Sequence, residues 1–211
     1  MDTSRFESLT GATDLDFPEY QTPPPEPLGL VRRWLDEAVA RGVREPRALA
    51  LATADRHGRA SNRIVVVTRL DERGLVFTSH SSSRKGRELA ATRWASGLLY
   101  WRETGQQIIL SGPVAQLDEA ESDALWAARP HPLHAMSTAS RQSEPLDDAQ
   151  ALRAEAARLA QRTPLPRPDR FVGYLLSPVE VEFWCASPDR LHRRLRYDLQ
   201  EQTWHTARLQ P

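Results

Sequence analysis

The chain has 211 residues with 28 Lys+Arg against 28 Asp+Glu, so its formal net charge is zero and it lacks the broad basic surface that binding to nucleic acid or an anionic membrane requires. Its one cysteine, Cys185, excludes an internal disulfide framework and a cysteine zinc cluster, and suits a reducing, cytoplasmic setting. The length and a hydrophobic content of 40% allow one sizeable core, while no apolar run approaches the roughly 18 residues of a membrane span and the N-terminal stretch lacks the basic and apolar regions of an export signal.

Residues 1–27 carry five prolines (Pro18, Pro23, Pro24, Pro25 and Pro27) and few large aliphatics, which predicts an extended or disordered arm with Phe17 and Tyr20 as its anchors. Residues 28–211 are expected to form a single domain. Leu30, Val31, Trp34, Leu35, Ala38 and Val39 recur at helical spacing over residues 28–40, and Gly42 ends the pattern. Residues 47–54 read as a strand turned by Asp55-Arg56-His57-Gly58 into a second, residues 60–68.

The stretch from Asn62 to Leu89 carries the densest signal. Ile64, Val65, Val66, Val67 and Thr68 are all β-branched and favour a strand, and Leu75–Phe77 supply its hairpin partner across Asp71-Glu72-Arg73-Gly74. Ser81, Ser82 and Ser83 then offer hydroxyls for a helix N-cap, followed by Arg84 and Lys85 on a helix expected over residues 83–91. A capped helix start bearing two cations, within reach of Arg63, is suited to hold an anion such as a phosphate; a solvated helix end is the alternative.

Residues 94–101 and 106–117 read as further strands, with Pro113 implying an edge or a bulge. Asp118 and Glu121 form a capping box opening a helix over residues 119–128, a polar loop follows through residues 131–146, and Ala149–Ala160 is an alanine-rich helix. Residues 171–176, 179–184, 191–197 and 204–209 read as strands. The expected fold is a mainly antiparallel β-barrel with peripheral α-helices. In residues 190–197 a period of two places Leu191, Leu195 and Tyr197 on one face, with Arg190, His192, Arg194 and Arg196 on the other. Such a face is a solvated strand surface or a site for a small anion, and the neutral net charge weakens a nucleic-acid reading. Trp94, Trp101 and Trp184 are expected in the core, Cys185 as a small buried residue, and the histidines show no metal-ligand spacing.

The segments NRIVVVT, VFTSHSSSRKGREL, YWRETGQQIILSG, RQSEPL and EFWCASPDRLHRRLRY, in this order, resemble the pyridoxamine 5′-phosphate oxidase family of FMN-binding split barrels, and DFPEYQTPP, REPRALALATAD, GRASNRIVV, KGRELAATRWASGLLYWRET, QQIILSG and RLHRRLRYDLQ resemble, within it, the flavin-dependent oxidases of phenazine biosynthesis. The resemblance implies an FMN-binding homodimer with two active sites at the subunit interface. It implies that Arg63, Arg84 and Lys85 hold the FMN phosphate beside Ser83. By the same resemblance Ile64 to Thr68, Thr78 and Ser79 line the flavin, Gln107, Gln142 and Ser143 complete the site, some of them from the partner chain, and Trp184 and Arg194 lie near the ring.

The substrate end departs from the family's pattern. Members that oxidise vitamin B6 phosphates carry lysine, tyrosine and serine where this chain has Thr68, Leu125 and Leu133, and share an arginine matching Arg129. A phosphate dianion would be poorly held here, and a larger apolar ring is favoured. Arg190 and His192 match the family's substrate-side Arg-x-His, with Arg129 and Arg190 suited to a carboxylate and His192 either a proton acceptor or a purely positioning group. The resemblance therefore implies oxidation of a partly reduced phenazine carboxylate, with hydride to FMN and reoxidation by dioxygen. A vitamin B6 phosphate oxidase and a non-catalytic flavin carrier are the alternatives.

Overall fold

The computed structural model describes residues 15–162 and 164–211. Strand β1 (Ala48–Ala54) shows why the sheet forms: Leu49, Leu51 and Thr53 point inward and the alanines between them are half-exposed. It pairs with β2 (Ala60–Asp71) on one side and β4 (Trp94–Trp101) on the other. β2 turns at Glu72-Arg73 into β3 (Gly74–His80), as the two apolar runs predict, with a β-bulge between Val67 and Arg69.

The barrel runs in the order β4-β1-β2-β3-β6-β5, with β5 as Gln106–Gln116 and β6 as Phe171–Leu176, and the β4–β5 pairing closes it. Closure leaves these six strands no free edge. β5 then serves a second partner: Gln106 to Ser111 pair with β7 (Glu180–Cys185), whereas Val114 to Gln116 pair with β6. Pro113 stands where the partner changes, so its missing N–H interrupts neither ladder and β5 is not an edge strand. β8 (Arg193–Gln200) and β9 (Thr203–Leu209) extend the sheet beyond β7.

Leu49, Leu51, Phe77, Leu99, Trp101, Ile108, Leu110 and Phe183 fill the interior at no more than 1% exposure. Each contributes about 1.5–3 kcal/mol of apolar burial. Helix α1 (Pro27–Ala40) packs its buried face on this core, and the Trp34 ring meets Phe183 at 5.2 Å and Phe17 at 4.9 Å. The arm expected to be extended or disordered with Phe17 and Tyr20 as its anchors packs through both of them where it is described. Residues 15–26 include a 3₁₀ turn at Pro18–Tyr20 and are held by Phe17, by Tyr197 Oη donating to the Pro24 carbonyl at 3.1 Å, and by Arg208 Nε donating to the Tyr20 carbonyl at 2.8 Å. Residues 1–14 of that arm lie outside the described residues.

Helix α2 (Arg84–Thr92) is capped by Ser83, whose hydroxyl accepts the Gly86 N–H, and α3 (Glu119–Ala127) by Asp118, which accepts the Glu121 N–H at 2.8 Å. The capping box is only half formed, because the Glu121 carboxylate binds Arg69 and Arg73 instead of turning back. The polar loop after α3 contains a helix absent from the sequence expectation, α4 (His134–Ala139). It is fixed by His134, which stacks on Trp126 at 4.0 Å and places Nε2 3.1 Å from the Trp126 carbonyl. Helix α5 (Ala149–Ala160) begins at Asp148, as its alanine run predicts. Trp126, Ala135, Leu165 and Phe171 form a separate small core that seats this helical layer against β6.

Candidate active site

β2, β3 and the start of α2 form one side of a cleft of 680 Å³, and the end of α3 with the segment after it forms the other. The cleft brings together Arg63, Ile64, Val65, Val66, Val67, Thr68, Thr78, Ser79, Lys85, Arg129 and Gln142 from the expected site. Their meeting follows from the hairpin: alternation along β2 leaves Ile64 and Val66 63% and 56% exposed while Val65 and Val67 turn into the core.

One end of the cleft is cationic. Lys85 Nζ donates to Ser79 Oγ at 3.0 Å and to Gln142 Oε1 at 3.3 Å, with Ser83 Oγ at 3.5 Å. These partners are all neutral, and no carboxylate among the described residues pairs with this ammonium. Burial, and then the Arg63 charge, push the Lys85 pKa down. An anion placed here would relieve both effects.

Arg63 and Arg84 converge instead on a residue absent from the sequence reading, Glu88. Its carboxylate is 3.3 Å from Arg63 Nη2 and 2.8 Å from Arg84 Nε, and accepts hydroxyl hydrogens from Thr53 at 2.5 Å and Ser61 at 2.6 Å. Burial alone would raise the Glu88 pKa, but the Ser61, Thr53 and Arg84 hydrogen bonds outweigh it and hold the group at about 2. Arg84 thus faces a neighbouring groove with Arg56, His57 and Arg87 rather than lining the cleft. Its backbone N–H donates to Ser143 Oγ at 3.0 Å, so Gln142 and Ser143 of the same chain both close over the α2 start.

The other end is apolar. Leu125, Ala128, Pro130 and Leu133 line it around Arg129. Arg129 donates weakly to Ser137 Oγ at 3.4 Å, lies over the Phe171 ring at 5.6 Å and keeps a buried, unpartnered Nε. Thr68 stands at the bulge and its hydroxyl donates to the Val76 carbonyl at 3.0 Å, so it is already engaged. Arg47 also lines the cleft; it stands at the strand start, where sequence alone marks only a boundary.

The remaining expected residues form a second cluster outside this cleft. Cross-strand register sets Gln107 beside Trp184 and Trp184 beside Arg194 on β5, β7 and β8. The Trp184 and His192 rings are 4.8 Å apart. The basic face read over residues 190–197 does not form as expected. Arg190 has a φ of 65° in a turn, Leu191 is 65% exposed, and β8 begins only at Arg193. Arg194 pairs with Glu182 at 2.7 Å, and Arg196 pairs with Glu180 at 2.7 Å and Asp198 at 2.9 Å, so the stripe is largely neutralised. His192 accepts the Ser187 N–H at Nδ1, 3.2 Å away. Burial, then Arg190, lower its pKa against an opposing Asp189, so the ring is neutral near pH 7 with its hydrogen on Nε2. Trp101 is buried, its Nε1 donating to the Pro46 carbonyl at 2.9 Å, but Trp94 is 49% exposed and not a core residue. Cys185 is buried.

Residues 35–163 match the family described as pyridoxamine 5′-phosphate oxidase, and residues 171–211 match the pyridoxine 5′-phosphate oxidase C-terminal dimerisation region. The chain belongs to the pyridoxamine 5′-phosphate oxidase family. It is 60% identical over 212 residues to the dihydrophenazinedicarboxylate synthase of Burkholderia lata, covering 100% of both chains, and 51% identical over 206 residues to that of Pseudomonas chlororaphis, covering 97% and 93%. A pyridoxine/pyridoxamine 5′-phosphate oxidase of Rubrobacter xylanophilus is 40% identical over 190 residues, covering 89% and 88%. The fold superposes with a TM-score of 0.94 and 58% identity on the crystal structure of PhzG from Burkholderia lata in complex with tetrahydrophenazine-1-carboxylic acid, covering 95% of this chain and 100% of that one. The family's dimerisation region spans β6 to β9 and so contains Trp184, His192 and Arg194, while Lys85 and Arg129 lie within the preceding match.

Proposed function

We propose that this chain is an FMN-dependent oxidase that aromatises partly reduced phenazine carboxylates. The observation that carries the reading is the substrate end of the cleft: Leu125, Pro130 and Leu133 surround one guanidinium, Arg129, and the Thr68 hydroxyl is spent on the Val76 carbonyl. Such a lining suits a flat apolar ring bearing a carboxylate and gives a phosphate dianion too few donors, which disfavours a vitamin B6 phosphate. The chain's likeness to the dihydrophenazinedicarboxylate synthases supports the same substrate class.

FMN fits the donor set at the other end. Lys85, Arg63, Ser79, Ser83 and Gln142 would hold its phosphate around an ammonium that otherwise has only neutral partners, with Arg84 and Ser143 at the edge, and the strand from Ile64 to Thr68 with Thr78 would line the ring. When bound, the flavin supplies two-electron oxidation with dioxygen as the final acceptor, so no protein nucleophile is needed. Arg129 orients the substrate carboxylate with a planar fork, and Leu125 and Leu133 exclude water above the ring.

Gln107, Trp184, His192 and Arg194 lie outside the cleft of their own chain, and three of the four belong to the family's dimerisation region. In a homodimer each site would join one protomer's cleft to the Trp184 and His192 of the partner subunit. His192, neutral and with its hydrogen on Nε2, would act there as a hydrogen-bond donor that positions substrate rather than as a base.

The test is to purify the protein, identify the released flavin by mass, and follow oxygen uptake with tetrahydrophenazine-1-carboxylic acid and with pyridoxine 5′-phosphate. Stoichiometric FMN and uptake at least about tenfold faster with the phenazine acid are expected, with Arg129→Ala raising its KM. Comparable rates on the two substrates would overturn the assignment.

A further inference from the structure

We propose that a cavity between α2, β5 and β6 is a second ligand site, built for a small aromatic monocarboxylate that carries a hydrogen-bond acceptor opposite its carboxyl group. The cavity shares no lining residue with the cleft, and the proposal stands apart from the oxidase reading.

Gly86, Leu89, Ala90 and Arg93 recur at the three- and four-residue spacing of one helix face, and this face of α2 forms one wall of a cavity of 360 Å³. Val114 of β5 and Tyr174 of β6 belong to the other wall. Leu89, Val114 and Tyr174 are members of the main core, whereas Ala90 and Arg93 are exposed, so the cavity runs inward from the surface to the core. Its volume falls within the range of about 300–1,000 Å³ usual for small-molecule sites.

Two polar groups of this cavity lack partners. The Tyr174 side chain is 4% exposed and stacks on Phe77 with centroids 5.4 Å apart, yet its hydroxyl makes no hydrogen bond with any described residue. A buried hydroxyl left unpaired is costly. Burial pushes its pKa up to about 12, so it remains a phenol able to donate. Arg93, the left-handed residue that ends α2 with a φ of 52°, makes no side-chain hydrogen bond or ion pair with any described residue.

These groups define the two ends of the ligand. Arg93 offers its planar fork to a carboxylate at the mouth, and no second cation lines the cavity to hold a phosphate dianion. Tyr174 offers one donor at the buried end, and Leu89 and Val114 enclose an apolar body between them. The small side chains at Gly86 and Ala90 leave that wall shallow enough for a flat ring.

Isothermal titration of the purified protein with 4-hydroxybenzoate is expected to give a Kd below about 1 mM. Arg93→Gln should weaken binding at least about tenfold. Tyr174→Phe, which keeps the stacked ring, should weaken it about fivefold while melting no lower than wild type, and benzoate should bind wild type about fivefold more weakly than 4-hydroxybenzoate. Arg129→Ala, which alters only the cleft, should bind as wild type does. Wild-type affinity in either Arg93→Gln or Tyr174→Phe, a lowered melting temperature in Tyr174→Phe, or loss of binding in Arg129→Ala would overturn the site. So would a wild-type protein that binds no 4-hydroxybenzoate up to about 10 mM.

Discussion

Glu88 shows how one buried acid decides the behaviour of several cations. It is 5% exposed, and its carboxylate is the common acceptor for Thr53, Ser61, Arg63 and Arg84. Its pKa falls from an ordinary 4.5 to about 2 in the folded chain, so it contributes stability that is complete above pH 4.5 and is lost as pH falls toward 2. Glu88→Ala should therefore cost about 3 kcal/mol by urea unfolding at pH 7, and the gap to wild type should narrow by about 2 kcal/mol between pH 6 and pH 3. A gap that stays constant with pH would show that the carboxylate's charge is not the source. Of the corner expected from Arg63, Arg84 and Lys85, the helix start bearing Lys85 was legible in the sequence because its signals are local, a serine cap and then cations, whereas the turning of Arg84 toward Glu88 and the neighbouring groove was not. Glu88 and Arg47 were not, because their surroundings depend on β1–β2 register, which sets Leu51 against Arg63 and which no short segment reveals.

At the scale of elements, the start of α2 is the most tightly constrained part of the site. A Cβ built at Gly86 would sit 2.2 Å from the Ser81 carbonyl oxygen and 2.6 Å from that of His80, both backbone atoms that cannot swing away. Gly86→Ala should shift the first turn of α2, destabilise the fold by about 2–3 kcal/mol and release the flavin more readily than substitution of any exposed α2 residue. Urea unfolding and flavin fluorescence read the two effects separately, and an alanine variant with wild-type values in both would show that the turn can relax. Most elements announced themselves through periodicity and caps, including α1, α3, α5 and the β2–β3 hairpin. α4 did not, because six residues are too few for helical periodicity and its fixing contact is the stacking of His134 on Trp126. The alternation over residues 190–197 misled in the opposite way: the pattern suits a strand, but the positive φ of Arg190 ends the turn before β8 begins.

For the whole molecule, a barrel was expected from successive short strands and tight turns, and Pro113 hinted at an irregularity. That β5 would divide its length between β6 and β7 depended on tertiary pairing alone. The division matters for function, since it sets Gln107 and Trp184 on a sheet that leads away from the cleft. If each site draws on both protomers, Lys85→Ala and Trp184→Ala should each be nearly inactive alone. Co-expressed, they should form mixed dimers with one intact site in two, restoring about a quarter of wild-type activity at random pairing. Activity no higher than that of either variant alone would place each site within one chain.

Lys85 is the only lysine in the chain. Apart from the chain's own terminal amine, amine-selective chemistry therefore finds one target, and burial with the Arg63 charge makes that amine easier to deprotonate. Reductive methylation with isotopically labelled formaldehyde would give a single side-chain resonance from the cationic end of the cleft. The chain thus carries its own spectroscopic reporter of occupancy, with no residue introduced to create it.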